Sequence, residues 1–177
     1  MKKANLTLVY ILSFFFVALI TSIIIAKSFK SSNPSQIDMN ENQAVLSRTD
    51  SLVTFAKSLM GTRYKFGSCT EGGFDCSGFV YYVFSKFHIK IPRSSYDVAE
   101  EGVLVSPAHA QKGDLIFFRG TDPKDRRVGH VGIIVSEKGE PIEFIHSSSN
   151  AKKNGVIITE LNSSHYRERF VKIKRFL

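Results

Sequence analysis

The hydrophobic and polar positions divide the chain into three stretches. Residues 6–26 are uncharged and dominated by Leu, Ile, Val and Phe, residues 27–43 are polar, and the remainder alternates between helical and strand-like periodicities. An uncharged run of this length meets the roughly 20 residues that a helix needs to cross a bilayer. The polar stretch has too little apolar content to pack. The pattern predicts a signal anchor over residues 1–26, a linker over 27–43 and one domain over 44–177.

The residues that flank the apolar run predict its orientation. Lys2 and Lys3 precede it, and residues 24–26, Ile-Ile-Ala, make a poor signal-peptide cleavage site. We expect a retained transmembrane helix in the cell envelope with the domain on the extracytoplasmic side, and Lys27 and Lys30 weaken the charge asymmetry behind that orientation. Cleavage of the anchor, which would release a secreted domain, is the alternative.

Helical periodicity dominates the first half of the domain. Apolar residues between Ala44 and Met60 outline one or two amphipathic helices, with Asp50 or Ser51 as the cap of a second helix and Gly61 as its end. A short helix is predicted later, over residues 94–101, where a Ser and an Asp three residues apart form a partial capping box.

The helix predicted from Ser77 to His88 carries the first candidate for chemistry. Its apolar residues recur at spacings of one, three and four, and Asp75 can cap its first turn, while Gly78 lets another backbone come close. Cys76 then lies in that first turn, where free amides and the helix dipole favour an anion. The position favours a thiolate nucleophile with a lowered pKa, and a small buried cysteine is the alternative.

Strand-like segments dominate the second half of the domain. Helices followed by antiparallel strands are typical of an α+β fold, with the helices packed on a sheet of about five strands. The predicted strands are Asp114–Phe118, His130–Val135, Ile142–Ser147, Val156–Leu161 and Phe170–Phe176.

Two histidines stand on strands that a turn around Lys138 would fold back on each other. His130 begins one strand and His146 lies near the end of the next, so they become cross-strand neighbours or nearly so. His130 can then act as a general base toward Cys76, and His146 can fix the tautomer of His130. The alternative is a pair of polar residues at the rim of a sheet. A zinc site that adds Cys69 to these three is conceivable, but the cysteine spacing fits none of the usual zinc patterns.

Six short segments of the domain carry a recognisable pattern. They are residues 61–67 (GTRYKFG), 74–80 (FDCSGFV), 91–95 (IPRSS), 112–118 (KGDLIFF), 129–133 (GHVGI) and 144–148 (FIHSS). In sequence and in order they resemble segments of the NlpC-type family of bacterial cell-wall peptidases, which have a compact papain-like fold. The resemblance covers nearly all of residues 51–177.

The resemblance implies roles for individual residues. Cys76, His130 and His146 would form a Cys-His-His triad, and Tyr64 would bind substrate or the oxyanion. Asp75 and Ser77 would line the cleft beside the nucleophile, and Ser94 and Ser95 are weaker matches. The chain departs from the family between residues 68 and 73, where relatives carry a glycine-rich run with tryptophan, and this chain has no tryptophan.

The resemblance therefore implies a cysteine endopeptidase that cleaves amide bonds of peptidoglycan stem peptides, near D-glutamate and the diamino acid, through an acyl-enzyme. Neither a metal nor another cofactor is expected. Two alternatives stay open: a non-catalytic peptidoglycan-binding module, and an amidase or acyltransferase of the same fold. A regulatory protein partner is conceivable, but no sequence feature identifies one.

The net charge limits the kinds of binding partner to expect, and the two cysteines raise the question of a disulfide. The net charge of +8 suits anionic partners such as peptidoglycan carboxylates and lipid head groups. Nucleic acid is not expected, because the basic stretch Arg167–Arg175 reads as a half-buried strand and no nucleic-acid motif is present. Cys69 is expected to be a bystander, and a redox bridge to Cys76, which would silence the nucleophile, is a minor hypothesis.

Overall fold

The structure is a computed structural model that describes residues 34–122, 124–151, 154–162 and 164–177, with side chains from residue 43 onward except that of residue 164. Residues Gln43–Leu177 form one compact unit. The predicted anchor, residues 1–26, lies outside the described residues. Among the helices that are described, none combines the length and the apolar character that crossing a membrane requires.

Helices precede most of the strands along the chain, as predicted. The elements are α1 (Pro34–Ser58), β1 (Cys69–Thr70), β2 (Gly73–Phe74), α2 (Cys76–Lys86), α3 (Ser95–Glu100), β3 (Val103–Val105), a 3-10 turn (Pro107–His109), β4 (Leu115–Arg119), β5 (Val128–Ile134), β6 (Glu143–Ser148), β7 (Gly155–Glu160), α4 (Ser164–Arg167) and β8 (Phe170–Arg175).

The main sheet is antiparallel and has the strand order β3-β8-β4-β5-β6-β7. The five predicted strands are its members β4 to β8, with ends shifted by one or two residues. The sixth strand, β3, was not predicted, and neither was the small hairpin of β1 and β2. The α+β class with an antiparallel sheet is confirmed, and the sheet has one strand more than the sequence predicts.

The first helix is longer than predicted and unbroken. It begins at Pro34, inside the stretch predicted as linker, and continues to Ser58. The predicted cap at Asp50 or Ser51 is wrong, because both residues lie inside the helix and the hydroxyl of Ser51 donates to a carbonyl one turn earlier. Gly61 follows the helix with φ +83°, a left-handed conformation that glycine adopts without strain.

Helix α2 forms where the sequence predicts it and for the predicted reason. The Asp75 carboxylate accepts a hydrogen bond of 2.6 Å from the backbone N–H of Gly78, which caps the first turn. A Cβ at Gly78 would lie 2.1 Å from the carbonyl oxygen of Ser68, so only glycine allows that approach. The buried face of the helix carries Phe79, Val80, Val83 and Phe84.

The sheet is covered on both faces, and the alternation along β4 shows it. Leu115 and Phe117 pack into the cluster that contains the apolar residues of α1, α2 and α3. Ile116 and Phe118 pack into a second cluster on the opposite face, with residues from β5, β6 and β8. A central strand with both faces buried reads as a continuous apolar run, which matches the sequence of β4.

Candidate active site

Cys76 is the first residue of α2 and is half-buried. Its Sγ lies 3.9 Å from the carbonyl oxygen of Gly129, at the start of β5. A cavity of about 830 Å³ opens at this point, and its wall includes Cys76, His130 and Tyr64. The helix start therefore places the thiol beside the sheet strand that carries the first histidine.

The strand pairing brings the two histidines together. Ile133 of β5 pairs with Ile145 of β6, so the hairpin folds around residue 139, close to the predicted turn. His130 and His146 are diagonal neighbours in that register, and Nε2 of His130 lies 2.9 Å from Nδ1 of His146. The predicted contact between these two residues is confirmed.

The histidines lie on the face of the sheet opposite to the one on which α2 packs. Their rings contact Phe118 and Phe144, which belong to the cluster on that opposite face. The sequence predicts helices packed on a sheet, and α2 does pack on the sheet, but on the face opposite to the histidines. Cys76 and His130 line the same cavity, at the start of β5 where Sγ of Cys76 approaches the Gly129 carbonyl, and not at the helix–sheet interface.

A threonine that the sequence analysis did not select extends the hydrogen-bond chain. Nε2 of His146 lies 3.0 Å from Oγ1 of Thr159 on β7. If His130 is to accept a proton at Nδ1, its Nε2 carries hydrogen and donates to Nδ1 of His146. Nε2 of His146 then carries hydrogen in turn and donates to Thr159. These hydrogen bonds are consistent with a single set of histidine tautomers. In that set Nδ1 of His130 carries no hydrogen and can act as a base.

Close packing around His146 depends on a glycine in the neighbouring strand. A Cβ at Gly132 would lie 2.7 Å from the ring of Phe144 and 3.2 Å from Cβ of His146. Both distances are shorter than ordinary contacts, so a larger residue would displace the histidine. Gly132 was quoted in the sequence only as part of a motif, and the cross-strand register is what gives it this role.

Tyr166, on α4, completes the enclosure of the imidazoles. Its ring lies 5.9 Å from that of His130 and 5.2 Å from that of His146, centroid to centroid. It also packs edge-on against Phe118 and Phe144 at 5.1 Å. The aromatic residues hold both imidazoles in one orientation and reduce their access to water. The sequence analysis missed Tyr166, because no periodicity marks so short a helix.

The electrostatics of the thiol differ from the prediction. Burial raises the pKa of Cys76, and the negative charge of Asp75 adds to this, while the backbone N–H groups at the helix start act oppositely and do not prevail. The expected lowering of the thiol pKa is thus wrong in direction. Burial, with the positive charge of Arg169, lowers the pKa of His130 to about 3, and burial lowers the pKa of His146 as well. A neutral thiol beside a neutral imidazole is the favoured resting state.

Tyr64 lies on the cavity wall with the thiol, where the sequence analysis expects it. Its backbone N–H donates to Oδ1 of Asn154 at 3.0 Å, and a parallel bridge joins it to Phe74, next to the cap of α2. Burial, Cys76 and Asp75 raise the pKa of its hydroxyl. The phenol therefore stays protonated and can donate a hydrogen bond into the cavity.

Asp75 and Ser77 are both buried, with 8% of each residue exposed. Arg93 donates to both oxygens of Asp75, at 3.0 and 2.6 Å, and to the hydroxyl of Ser77 at 2.9 Å. These contacts fix the first turn of α2 and thus the position of Cys76. The role of the two residues in lining the cleft stays a prediction.

The remaining candidates have positions of their own. Ser94 caps α3 by accepting from the backbone N–H of Asp97, as predicted, and Ser95 is the first residue of that helix. Cys69 lies on β1 and has a free thiol. In the part of the chain that the structure describes, no three His, Cys, Asp or Glu side chains are grouped closely enough to hold a metal ion.

An α+β domain with a thiol at a helix start and a histidine chain on the adjoining sheet defines a class of papain-like proteins. The family model described as the NlpC/P60 family matches residues 61–175. The chain therefore belongs to the NlpC/P60 family, as the sequence motifs indicate.

Three similar proteins illustrate the match. The murein DD-endopeptidase MepS/murein LD-carboxypeptidase of Escherichia coli is 36% identical over 118 residues, which is 66% of this chain and 57% of that protein. The gamma-D-glutamyl-L-lysine dipeptidyl-peptidase of Bacillus cereus is 31% identical over 151 residues, 85% of this chain and 43% of that protein. A crystal structure of a NlpC/P60 family protein from B. cereus aligns with a TM-score of 0.64 and 36% identity, over 73% of this chain and 40% of that one. This chain thus spans about half the length of these relatives.

Proposed function

We propose that the chain is a peptidoglycan hydrolase, a cysteine endopeptidase that cleaves amide bonds in stem peptides. The observation that carries the proposal is the convergence of the Cys76 thiol and the His130–His146–Thr159 chain at one cavity. Relatives named as murein endopeptidases and as a gamma-D-glutamyl-L-lysine peptidase support the substrate class. Bonds near D-glutamate and the diamino acid are the proposed targets.

The raised pKa of Cys76 and the lowered pKa of His130 favour a neutral resting pair, so in the proposed mechanism the thiol loses its proton as it attacks. Sγ of Cys76 bonds to the substrate carbonyl carbon while Nδ1 of His130 takes the thiol proton. The tetrahedral intermediate collapses to an acyl-enzyme, and His130 returns the proton to the leaving amine. Water then hydrolyses the thioester, with His130 as the base again. His146 orients His130 throughout and stabilises the imidazolium that forms.

Charge on the substrate oxygen needs hydrogen-bond donors. The backbone N–H of Cys76 is at the start of α2, where amides lack helical partners. The Tyr64 hydroxyl lies on the same cavity wall and remains a donor because its pKa is raised. We assign these two groups to the oxyanion, whose stabilisation is usually the largest single contribution to acyl-transfer catalysis.

Digestion of purified muropeptides tests the proposal. The full chain is compared with Cys76→Ala and Cys76→Ser, and the products are identified by mass spectrometry. Cleavage by the intact thiol alone, with an acyl-enzyme mass trapped on Cys76 at short times, supports an endopeptidase and identifies its bond. Muropeptide binding without cleavage by any of the three proteins favours the non-catalytic wall-binding module instead.

An amidase or acyltransferase of the same fold is distinguished by its products. A panel of acyl donors with free amines or water as acceptors measures the ratio of transfer to hydrolysis. Hydrolysis of stem peptides at a rate above that of every other donor supports the endopeptidase. Preferred transfer to an amine would replace it with an acyltransferase.

We also propose that the domain works outside the cytoplasmic membrane, held there by the apolar segment at residues 6–26. Cell fractionation with protease treatment of intact spheroplasts tests this location. Protection of the domain from the external protease would contradict it.

A further inference from the structure

Arg169 places a positive charge on the wall of the catalytic cavity. It follows α4, is half-buried, and lines the same cavity as Cys76 and His130. Its guanidinium carbon lies 4.9 Å from the centre of the Tyr166 ring, and that ring in turn packs on both catalytic imidazoles. The cation and both histidines therefore contact the same aromatic ring.

The guanidinium is held by neutral groups. Its Nε donates to the carbonyl oxygen of His165 at 3.3 Å, and one Nη donates to the carbonyl oxygen of Arg119 at 3.2 Å. None of the ion pairs among the described residues includes Arg169, although the carboxylate of Glu160 lines the same cavity. Two backbone carbonyls fix the direction of the fork but leave its charge unneutralised.

An oriented guanidinium of this kind is suited to a carboxylate. Its planar array of N–H donors matches the two oxygens of a carboxylate, and both partners are charged, so the hydrogen bonds are stronger than neutral ones. The side chain is already held in place, so binding costs little further conformational entropy. A stem peptide with a γ-linked glutamyl residue and a diamino acid carries free carboxylates close to its amide bonds.

We infer that Arg169 is a specificity-determining residue that binds a free carboxylate of the stem peptide in the catalytic cavity. The inference rests on the proposed function for the identity of the substrate. Arg169 would give the cavity a preference for stem peptides in which this carboxylate is free over those in which it is amidated.

The position of Arg169 also links binding to the chemistry. Its charge is among the causes that lower the pKa of His130 and of His146. A bound carboxylate would offset that charge where the imidazole has to accept a proton. An anionic substrate thus promotes the proton transfer that its cleavage requires, whereas an amidated substrate does not.

Binding and cleavage of matched peptides test the inference separately. The parent peptide carries all its carboxylates, and each analogue replaces one of them with a carboxamide. Affinities are measured by calorimetry with the full chain carrying Cys76→Ala, and kcat/KM is measured with the intact thiol. A charge-assisted hydrogen bond leads us to expect that one analogue binds and reacts about tenfold or more weakly than the parent.

The protein variants assign that preference to one residue. With Arg169→Gln, the parent and the sensitive analogue should bind within about twofold of each other, since only the charged pair distinguishes them. Arg169→Lys keeps the charge without the fork and should retain part of the preference, which covers the case in which Arg169→Gln does not fold. Arg167→Gln removes the same charge from an exposed position outside the cavity wall and should leave the ratio unchanged.

Each outcome has a distinct meaning. Equal binding of the parent and every analogue, or a preference that Arg169→Gln retains, would overturn the inference. A carboxylate preference that depends on Arg169 in binding, with no cleavage of any peptide, would support the inference and defeat the proposed endopeptidase. Cleavage without any such preference would do the reverse.

Discussion

The hydroxyl of Thr159 is the last acceptor in the chain of hydrogen bonds that runs from His130 through His146. The substitution Thr159→Val removes this hydroxyl with little change in the shape of the side chain. Valine keeps the branched side chain in the strand but offers no acceptor to Nε2 of His146, 3.0 Å away. His146 is fully buried, so water cannot easily replace the lost partner. Its imidazole can then adopt the other tautomer, which no longer accepts from His130 and leaves the base in the wrong protonation state.

The size of the effect follows from the cost of an unsatisfied buried donor. That cost is about 1–3 kcal/mol, which corresponds to roughly a 5- to 150-fold fall in kcat/KM if all of it appears as loss of the productive tautomer. Thr159→Ser retains the hydroxyl and should recover most of the activity. Thr54→Val makes the same substitution at an exposed position of α1 and should have no effect.

The assay is cleavage of a purified muropeptide at several pH values, with thermal unfolding recorded for each variant. A tautomer effect lowers kcat/KM and leaves substrate affinity and folding largely unchanged, whereas a packing effect lowers the unfolding temperature. Wild-type activity in Thr159→Val, or failure of Thr159→Ser to recover activity in a folded protein, would refute the role assigned to this hydroxyl.

Three further predictions concern the thiol and the helix that carries it. Since the pKa of Cys76 is raised, the rate of its alkylation by iodoacetamide should continue to increase as the pH rises above about 8.5, the ordinary pKa of a thiol. Mass spectrometry of the labelled peptide measures this rate. A rate that has already reached its plateau at neutral pH would indicate a thiolate–imidazolium pair instead. Arg93→Met removes the partner of the helix-capping carboxylate and should lower the free energy of unfolding by about 1–3 kcal/mol in urea titrations. Arg127→Met breaks an exposed ion pair and should have a much smaller effect on the same free energy; equal losses would contradict the assignment. Gly78→Ala should destabilise the domain far more than Gly72→Ala, whose nearest contact for a Cβ is at 3.7 Å, and similar unfolding midpoints would count against the close backbone approach.

The helix and strand pattern was largely predictable because local rules determine it. Strands β4 to β8 have apolar runs or alternation over five to seven residues, and α2 has both a cap and a periodic apolar face. Strand β3 has only three residues, two of them exposed, and it exists because β8 offers an edge to pair with. No pattern within three residues could predict that pairing.

The site was predictable up to the residues that depend on register. His130 and His146 follow from a hairpin whose turn the sequence marks, so their contact was accessible. Thr159 lies opposite Phe144, and Ile157, two residues earlier on the same strand, lies opposite His146. The contact of Thr159 with His146 therefore depends on the register between β6 and β7, which the sequence does not mark. Tyr166 and Arg169 reach the cavity through a four-residue helix that no periodicity identifies.

The pKa of Cys76 could not be predicted from its position at a helix start alone. The amides at the start of α2 do favour the thiolate, but burial and the nearby Asp75 carboxylate outweigh them, and the same carboxylate is needed to cap the helix. The pKa of the imidazole is lowered as well, so both shifts disfavour a preformed thiolate–imidazolium pair. The driving force of the proposed mechanism has to arise when substrate binds and the proton moves to His130. We therefore expect the groups around the imidazole, namely His146 with Thr159 and the charge of Arg169, to influence the rate as well as the position of the thiol.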